Sequence, residues 1–198
     1  VEHSLLSYRS LVRAQPVPQN KVKMNHWTRA LNAARGTVNK SPLETIPSSE
    51  WKRKMLLAEH SPIRLVKLFY TWDGIKRWVS THFVRHKFGI EHFVSTQRSD
   101  RTGIPRDELR QDELSVHSFE ANAQAIINIS RKRLCAQASF ETRQAWIEFL
   151  TSIKEDEPEL YSVCVPECIY RGFCPEIKPC GYSETEAYQK RLKEYRGI

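Results

Sequence analysis

The stretch PIRLVKLFYTWDGIKRWVSTHFVRHKFGIEHFVSTQR (residues 62–98) holds the clearest succession of strand and helix patterns in this 198-residue chain. Residues 62–72 alternate roughly in polarity and are rich in β-branched and aromatic residues, which predicts a strand. Asp73 is a helix N-cap residue, and apolar side chains recur after it at helical spacing, so a helix is predicted to begin there. Residues 92–98 then predict a second short strand or an extended loop.

Helical patterns dominate on both sides of this stretch. Loops are predicted over residues 36–49 and 99–114 because they are polar and rich in turn-forming residues. The predicted helices span residues 26–35, 51–60, 116–134 and 141–154. Helices that surround a few strands predict an α+β (mixed α/β) fold.

Three segments are predicted along the chain. Residues 1–25 are polar and without a clear period, so they predict an N-terminal arm, and residues 26–155 form the predicted domain. Residues 156–198 are a cysteine-containing tail, packed on the domain or extending it. The charged segment that ends this tail predicts a solvated helix.

Composition narrows the classes of partner. Lys and Arg outnumber Asp and Glu by 31 to 23, a formal charge of +8, and a surplus of this kind favours polyanions such as nucleic acids or phosphorylated metabolites. No apolar run approaches the ~20 residues of a membrane helix, and the first residues lack a signal-peptide apolar region. We therefore expect a cytoplasmic protein with no membrane partner.

Five cysteines raise the question of a metal site. Cys135 stands alone and is expected to be a core thiol, and four others follow the spacing C-x3-C-x5-C-x5-C: Cys164, Cys168, Cys174 and Cys180. Four thiolates could satisfy a tetrahedral zinc ion, but this spacing differs from the paired C-x2-C pattern typical of zinc sites. Reduced, partly buried thiols and no bound metal are the expectation.

Basic residues concentrate in two clusters, one at residues 85–87 with Arg98 and Arg101, the other at 131–133. Arg131 and Arg133 are two residues apart on a predicted helix and therefore do not share a face, so one can enter a pocket. Guanidinium groups bind phosphate in a planar, bidentate manner. The alternative for each cluster is a solvated charged face.

Amide side chains interrupt the apolar helical pattern near the second cluster, at Asn122, Asn128 and Gln137. A ligand edge would satisfy their hydrogen bonds, and so would pairing between helices. The sequence contains no G-x-S-x-G motif, P-loop or G-x-G-x-x-G motif. If the protein is an enzyme, a cofactor is therefore expected to supply the difficult chemistry.

Arg85-His86-Lys87, followed after seven residues by Ser95, is similar to the R-H-R-x7-S signature of the flavin-dependent thymidylate synthases. Ala33-Ala34-Arg35 resembles the A-A-R of that family, and His60-Ser61-Pro62 loosely resembles its H-x-x-P segment. The residues from Asn122 to Glu141 resemble the family's N-A-R…N…R…A-x-W-E stretch. The similarity runs in the same order over residues 33–141.

The resemblance implies a small central antiparallel sheet flanked by helices, and a homotetramer with FAD at the subunit interface. It also implies that NADPH reduces the flavin and that methylenetetrahydrofolate donates a methylene group to C5 of dUMP. By motif position, the implied FAD-binding residues are Ser61, Arg85, His86, Lys87, Asn122, Asn128 and Gln137. The implied nucleotide-binding residues are Ser95, Gln97, Arg98 and Arg133. Of these, Arg133, which would polarise the pyrimidine, and Ser95 are implied in catalysis.

Departures from the family pattern leave the substrate open. Lys87 and Gln124 stand where arginines are usual, Arg98 follows Ser95 by three residues rather than two, and a family helix is missing before Asn122. A flavoenzyme of the same fold that modifies another pyrimidine nucleotide is one alternative. The other is a basic nucleic-acid-binding protein, which the placement of most Trp and Phe residues on apolar helix faces disfavours.

Overall fold

The computed structural model describes residues 25–197, so the predicted arm lies outside the described residues except for Asn25. Within them the fold is mixed α/β, as predicted. The helices are α1 (His26–Gly36), α2 (Ser49–Leu57), α3 (Arg77–Phe83), α4 (Ser99–Thr102), α5 (Ala123–Arg133), α6 (Phe140–Ser152), α7 (Pro158–Val163), α8 (Glu167–Arg171) and α9 (Glu186–Arg196). The strands are β1 (Lys67–Lys76), β2 (Ile90–Val94) and β3 (Leu114–Asn122). Short 3-10 turns occupy Ser61–Leu65, Arg106–Glu108 and Tyr182–Glu184.

The three strands form one antiparallel sheet in the order β1-β3-β2, with β3 in the middle. Phe69 of β1 lies opposite Glu120, and Ile90 of β2 lies opposite Ala121. The register of β1 shifts between Asp73 and Ile75. This irregularity falls at Gly74, whose φ of 92° suits glycine.

Two sequence predictions about these elements are wrong. Residues 61–65 coil into a 3-10 turn with Pro62 near its start, so the strand predicted over 62–72 begins at Lys67 and runs on to Lys76. Asp73 therefore lies within β1, and the helix predicted after it begins only at Arg77.

The helix predicted over 116–134 is also wrong in its first third, because residues 114–122 form the central strand. Side chains at 115, 117, 119 and 121 are buried in alternation, the two-residue period of a strand. The helical period begins after Asn122, which is the N-cap of α5 and accepts a hydrogen bond from the Ala125 N–H at 2.9 Å.

Aromatic side chains form the centre of the core between the sheet and helices α3 and α6. The rings of Trp72 and Phe83 stack with centroids 4.6 Å apart, and Trp146 packs against Phe83 and Phe119. Trp146 also donates from Nε1 to the Ser130 hydroxyl at 2.9 Å, which fixes α6 against α5. This core positions α3 and the end of α5, where the candidate site lies.

The segment after α6 contacts the rest of the fold at several points. Glu157, which is buried, accepts hydrogen bonds from Trp27 Nε1 and pairs with His26, both at 2.7 Å. A smaller apolar cluster forms around Val165, Ile169 and Tyr188. The domain boundary at residue 155 stays a prediction. No helix among residues 25–197 has the length and apolar character needed to cross a membrane.

Candidate functional site

Arg133, in the last turn of α5, lies at the centre of the candidate site. Its half-buried guanidinium donates from Nε to His86 Nε2 at 3.0 Å and from Nη2 to the His82 carbonyl at 2.5 Å. Within residues 25–197, no ion pair joins Arg133, Arg85 or Lys87 to a carboxylate. The structure thus brings two predicted site residues, His86 and Arg133, into contact.

Burial and neighbouring cations keep His86 neutral. Burial lowers the pKa of His86 to about 4, and the positive charges near it, Arg133 foremost, act in the same direction. Because Nε2 accepts the hydrogen bond from Arg133, the ring proton of His86 resides on Nδ1. Burial also lowers the pKa of Arg133, with a further contribution from Arg85. The site therefore holds positive charge without a compensating acid.

A chain of histidines supports the loop that carries His86. Ser80 Oγ lies 2.9 Å from His117 Nδ1, His117 Nε2 lies 3.0 Å from His92 Nδ1, and His92 Nε2 lies 2.9 Å from the His86 carbonyl. Since that carbonyl only accepts, His92 donates to it from Nε2. His117 is fully buried, and burial lowers its pKa to about 4.

Asn122 holds the other end of the same loop. Its backbone N–H donates to the Gly89 carbonyl at 2.9 Å while its side chain caps α5. Gly89 has a φ of 73°, and a Cβ placed there would lie 2.6 Å from Asn122 Nδ2. The predicted cofactor residue Asn122 therefore fixes residues 85–89 against the start of α5.

A polar cavity of about 500 Å³ adjoins this centre, since His82 lines it and also binds Arg133 through its carbonyl. Three arginines and the predicted site residue Gln97 share its wall. The Nε of Arg77 is buried and has no hydrogen-bond partner among the described residues, while its Nη1 donates to the Ser95 carbonyl at 3.3 Å. The three arginines are Arg77, Arg106 and Arg110. Arg110 is ion-paired with Asp112, and Asp107 also lines the wall, so Arg77 and Arg106 are the cations that an anionic ligand would meet there.

Ser95 and Arg98 lie at the end of β2, beyond the contacts of Arg133. The Ser95 hydroxyl donates to the Val116 carbonyl at 3.2 Å, which prolongs the sheet edge. Arg98 is exposed and forms a two-pronged ion pair with Asp100 at 2.7 and 3.0 Å. Their implied roles in nucleotide binding and, for Ser95, in catalysis stay predictions.

The remaining predicted cofactor residues are Ser61, Asn128 and Gln137. Asn128 is exposed and accepts from Arg131 at 3.2 Å, and Ser61 is exposed at the start of a 3-10 turn. Gln137 donates from Nε2 to the Lys178 carbonyl at 2.8 Å, which ties it to the cysteine-containing tail. Among the described residues, no hydrogen bond joins any of these three to Arg133 or His86.

Several residues of the site escaped the sequence analysis. His117 was missed because residues 116–122 were predicted as helix, whereas with the two-residue period of a strand it falls on the buried face. His92 begins the segment predicted as strand or extended loop over residues 92–98, and nothing in that pattern indicates its contact with His117. Arg77 was placed inside a longer predicted helix, whereas it begins α3. The ring of His82, in α3, lies next to the cavity and is hydrogen-bonded through Nδ1 to Thr142 Oγ1 at 2.8 Å.

Comparison with known proteins gives a local similarity. No protein-family model matches the chain. A flavin-dependent thymidylate synthase from Clostridium tetani (strain Massachusetts / E88) is 36% identical over 64 residues, which are 32% of this chain and 25% of that protein. The chain thus spans about a quarter of the length of the curated relative that it matches. Over that stretch, this chain is similar to a flavin-dependent thymidylate synthase.

Proposed function

We propose that this protein is a flavoenzyme that resembles the flavin-dependent thymidylate synthases and methylates dUMP reductively. FAD would be its cofactor, with NADPH and methylenetetrahydrofolate as co-substrates. The observation that carries the proposal is the uncompensated positive charge of Arg133 and Arg85 beside neutral His86. The partial relative named as such an enzyme supports it.

The residues near Arg133 fit a cofactor with a diphosphate group. Arg85 and Lys87 are exposed and have no carboxylate partner among the described residues, so a diphosphate could neutralise both. His86 and Asn122 would position the loop that presents them. When bound, FAD would supply the transfer of reducing equivalents, and the protein would supply binding and orientation.

The cavity beside His82 suits a nucleotide phosphate. Arg77 Nε lacks a partner within the described chain, and Arg106 stands on the same wall with no carboxylate partner there. Gln97 would bind the sugar or base, with Ser95 and Arg98 at the rim. The pyrimidine would then extend toward Arg133, which donates a hydrogen bond to the carbonyl of His82, a residue of the cavity wall.

Arg133 is the proposed catalytic residue. Reaction at C5 of a uracil moves negative charge onto the ring carbonyls, and a guanidinium held in place by two protein contacts stabilises this charge. His86 orients Arg133 through a hydrogen bond and, being neutral, does not neutralise the charge of the guanidinium as a carboxylate would. That charge stays available to the substrate. Removal of one such preorganised donor costs about 100- to 1,000-fold in rate.

A second copy of the chain would complete the cofactor site. The outer face of the sheet is uncovered in one protomer, where Phe69 is 65% and Phe93 58% exposed, next to Val116. Apolar patches of this kind mark association surfaces. Assembly as a homotetramer through such faces would bring Ser61, Asn128 or Gln137 of a neighbouring copy toward FAD.

The test begins with absorption spectra of the purified protein with added FAD, then with NADPH under anaerobic conditions. A bound-flavin spectrum that NADPH bleaches, followed by dTMP formation from dUMP and methylenetetrahydrofolate, is the expected result. Arg133→Ala should lower the rate of dTMP formation by about 100-fold or more, and the control Arg191→Ala, on the surface of α9, should not. No bound flavin at saturating FAD, together with salt-sensitive DNA binding, would overturn the proposal in favour of a nucleic-acid-binding protein.

A further inference from the structure

A continuous chain of hydrogen bonds runs from the core to the loop over residues 85–89. Ser80 Oγ lies 2.9 Å from His117 Nδ1, and His117 Nε2 lies 3.0 Å from His92 Nδ1. His92 then donates from Nε2 to the His86 carbonyl at 2.9 Å. The first two contacts have no fixed direction, because a hydroxyl and an imidazole nitrogen can each donate or accept. The direction of this chain therefore depends on where its protons reside.

The chain has two directions, and both keep its three hydrogen bonds. With one proton on the His92 ring, Nδ1 accepts from His117, which in turn accepts from the Ser80 hydroxyl. With a second proton on the ring, Nδ1 donates to His117 Nε2, and His117 Nδ1 donates to the hydroxyl oxygen. In both cases His92 Nε2 still donates to the His86 carbonyl. The chain can therefore take up one proton from solvent without losing a contact.

The charge of such an added proton belongs on His92. His117 is fully buried, and burial lowers its pKa to about 4. Burial also lowers the pKa of His86 to about 4, and positive charge on Arg133, His92 and Arg85 acts in the same direction. His92 is partly accessible, and its partners are an imidazole and a carbonyl. A charge on His92 thus lies within electrostatic range of the ring that contacts Arg133.

The inward positions of the described strands around His92 carry no acid that would neutralise this charge. Side chains alternate across a strand, so the adjacent Glu91, which lies opposite Glu120, is on the other face of the sheet. Glu120 forms an ion pair there with Lys67 at 2.6 Å. Within the described part of the chain, no ion pair joins His92 to a carboxylate. An anion that stabilises a charged His92 must therefore come from a ligand.

We propose that His92 is a positioning residue that takes up one proton when an anion binds beside Arg133 and Arg85. The inference rests on the proposed function, because the anion in question is the diphosphate of FAD. Two cations without carboxylate partners oppose a third charge nearby, and a bound diphosphate removes that opposition. The proton comes from solvent, the chain from Ser80 to His92 reverses, and the loop over residues 85–89 keeps its hydrogen bond from His92. Anion binding and proton uptake then favour each other reciprocally.

The experiment counts the protons taken up when the full, unmodified chain binds FAD or, as a second probe, sulfate. Both probes stay fully ionised near neutral pH, so any proton uptake belongs to the protein. Isothermal titration calorimetry in two buffers of different ionisation enthalpy gives the count. We expect net uptake of up to one proton per chain, and an affinity that rises from pH 8 to pH 6 by up to about 10-fold per pH unit. Binding of FAD without proton uptake would overturn the inference and leave the proposed function standing.

The two probes distinguish this inference from the proposed function. If FAD does not bind but sulfate binds with proton uptake, the flavoenzyme is excluded and the proton-linked anion site is retained. If sulfate binds without proton uptake and FAD does not bind, both are overturned. Absence of binding by either probe would overturn both as well.

His92→Gln tests which group takes up the proton. A glutamine amide can still donate to the His86 carbonyl, so FAD should still bind, but without proton uptake and with equal affinity at pH 6 and pH 8. The matched control His60→Gln, which replaces an exposed histidine, should keep the uptake of the unmodified chain. Unchanged uptake in His92→Gln would contradict the assignment. Should that variant fail to fold, the ¹⁵N chemical shifts of the His92 ring in the unmodified chain decide: they should move toward the doubly protonated form when FAD binds, and unmoved shifts would overturn the inference.

Discussion

Arg131 and Arg133 are two residues apart on α5, but the guanidinium of Arg131 has a carboxylate partner and that of Arg133 has only neutral partners among the described residues. Arg131 forms an ion pair with Glu59, and its guanidinium lies 3.4 Å from the centroid of the Tyr170 ring. Arg133 points to the other side, where its partners are the neutral His86 ring and a carbonyl. One helix thus carries a neutralised arginine on one face and an uncompensated arginine on the other.

The difference separates a charge that serves folding from one that is available to a ligand. A half-buried cation with a carboxylate partner recovers part of its desolvation cost, whereas one without such a partner does not. Burial lowers the pKa of Arg133, and repulsion from Arg85 lowers it further, as expected for a cation without a carboxylate partner. A fold that keeps such a residue unpaired leaves room for an anion to supply the missing interaction. Substitutions of these two arginines should therefore separate stability from function.

The largest expected effect is the loss of activity in Arg133→Ala. Because this residue is the proposed stabiliser of charge on the substrate, dTMP formation should fall by about 100-fold or more. The melting temperature should stay within ~2 °C of the unmodified protein or rise, since an unpaired half-buried cation is removed. Initial rates and differential scanning fluorimetry measure the two effects. Full activity of the variant, or its unfolding, would contradict the assignment of Arg133 to function and of Arg131 to stability.

Arg131→Ala should have the converse effect. Its side chain is 12% exposed and that of Glu59 22%, so the substitution leaves a carboxylate largely buried without its cation. We expect the free energy of unfolding to fall by about 2 kcal/mol, measured by urea denaturation. Arg131→Ala combined with Glu59→Gln should recover part of the loss, because the orphaned charge is removed as well. A stable but inactive Arg131→Ala variant would contradict the division of roles.

The low pKa values of His86 and His117 predict how the stability of the protein changes at acid pH. The folded pKa values of His86 and His117 are about 4, below the ordinary value of 6.5. Between these limits the unfolded chain binds more protons, so stability present above pH 6.5 is lost as the pH falls toward 4. By linkage the loss is on the order of 1–3 kcal/mol per histidine at pH 4, and each kcal/mol lowers the melting temperature by roughly 2–4 °C. The measurement is the melting temperature from pH 7.5 to pH 4.

A matched pair of variants assigns this pH dependence. His117→Gln removes a fully buried imidazole, so the fall in melting temperature between pH 6.5 and pH 4 should be smaller. His60→Gln replaces an exposed histidine and should leave the profile as it is. Equal profiles in all three proteins would show that the buried histidines do not carry the acid sensitivity.

The sequence predicted the fold class because local patterns decide most of these elements. Helices α1, α2 and α6 are found near their predicted positions, and Ser48 caps α2 through Trp51 N–H. Residues 116–122 were predicted as helix because Ala121 continues the apolar stripe of Ala125, Ile126 and Ile129, and because α5 follows β3 without a loop. Only pairing with β1 and β2 decides between the two periods there, and pairing is a tertiary effect.

For the candidate site, the resemblance pointed to the loop at residues 85–87 and to Arg133 at the end of α5, but the contact between His86 and Arg133 depends on packing. The pairing of His86 with Arg133 joins residues 47 positions apart, and no spacing rule predicts it. The same holds for Glu59, which neutralises Arg131 from 72 positions away. Long-range contacts of this kind decide which arginine lacks a carboxylate partner, so the sequence could name the candidate arginines but could not say which of them is unpaired.

The smallest expected effect on stability belongs to Arg98→Ala, because this third arginine forms its ion pair in solvent, unlike Arg131. Arg98 has a carboxylate partner, Asp100, but the pair is exposed, with side chains 65% and 57% accessible, so its loss should cost less than about 0.5 kcal/mol. If the residue binds nucleotide as proposed, the affinity for dUMP in a fluorescence titration should nevertheless fall several-fold. Arg101→Ala, next to the same Asp100 and exposed, is the control that should leave dUMP binding unchanged. Equal dUMP affinity in Arg98→Ala and Arg101→Ala would show that Arg98 does not bind the nucleotide. The nucleotide site would then consist of the cavity wall at Arg77 and of Arg133.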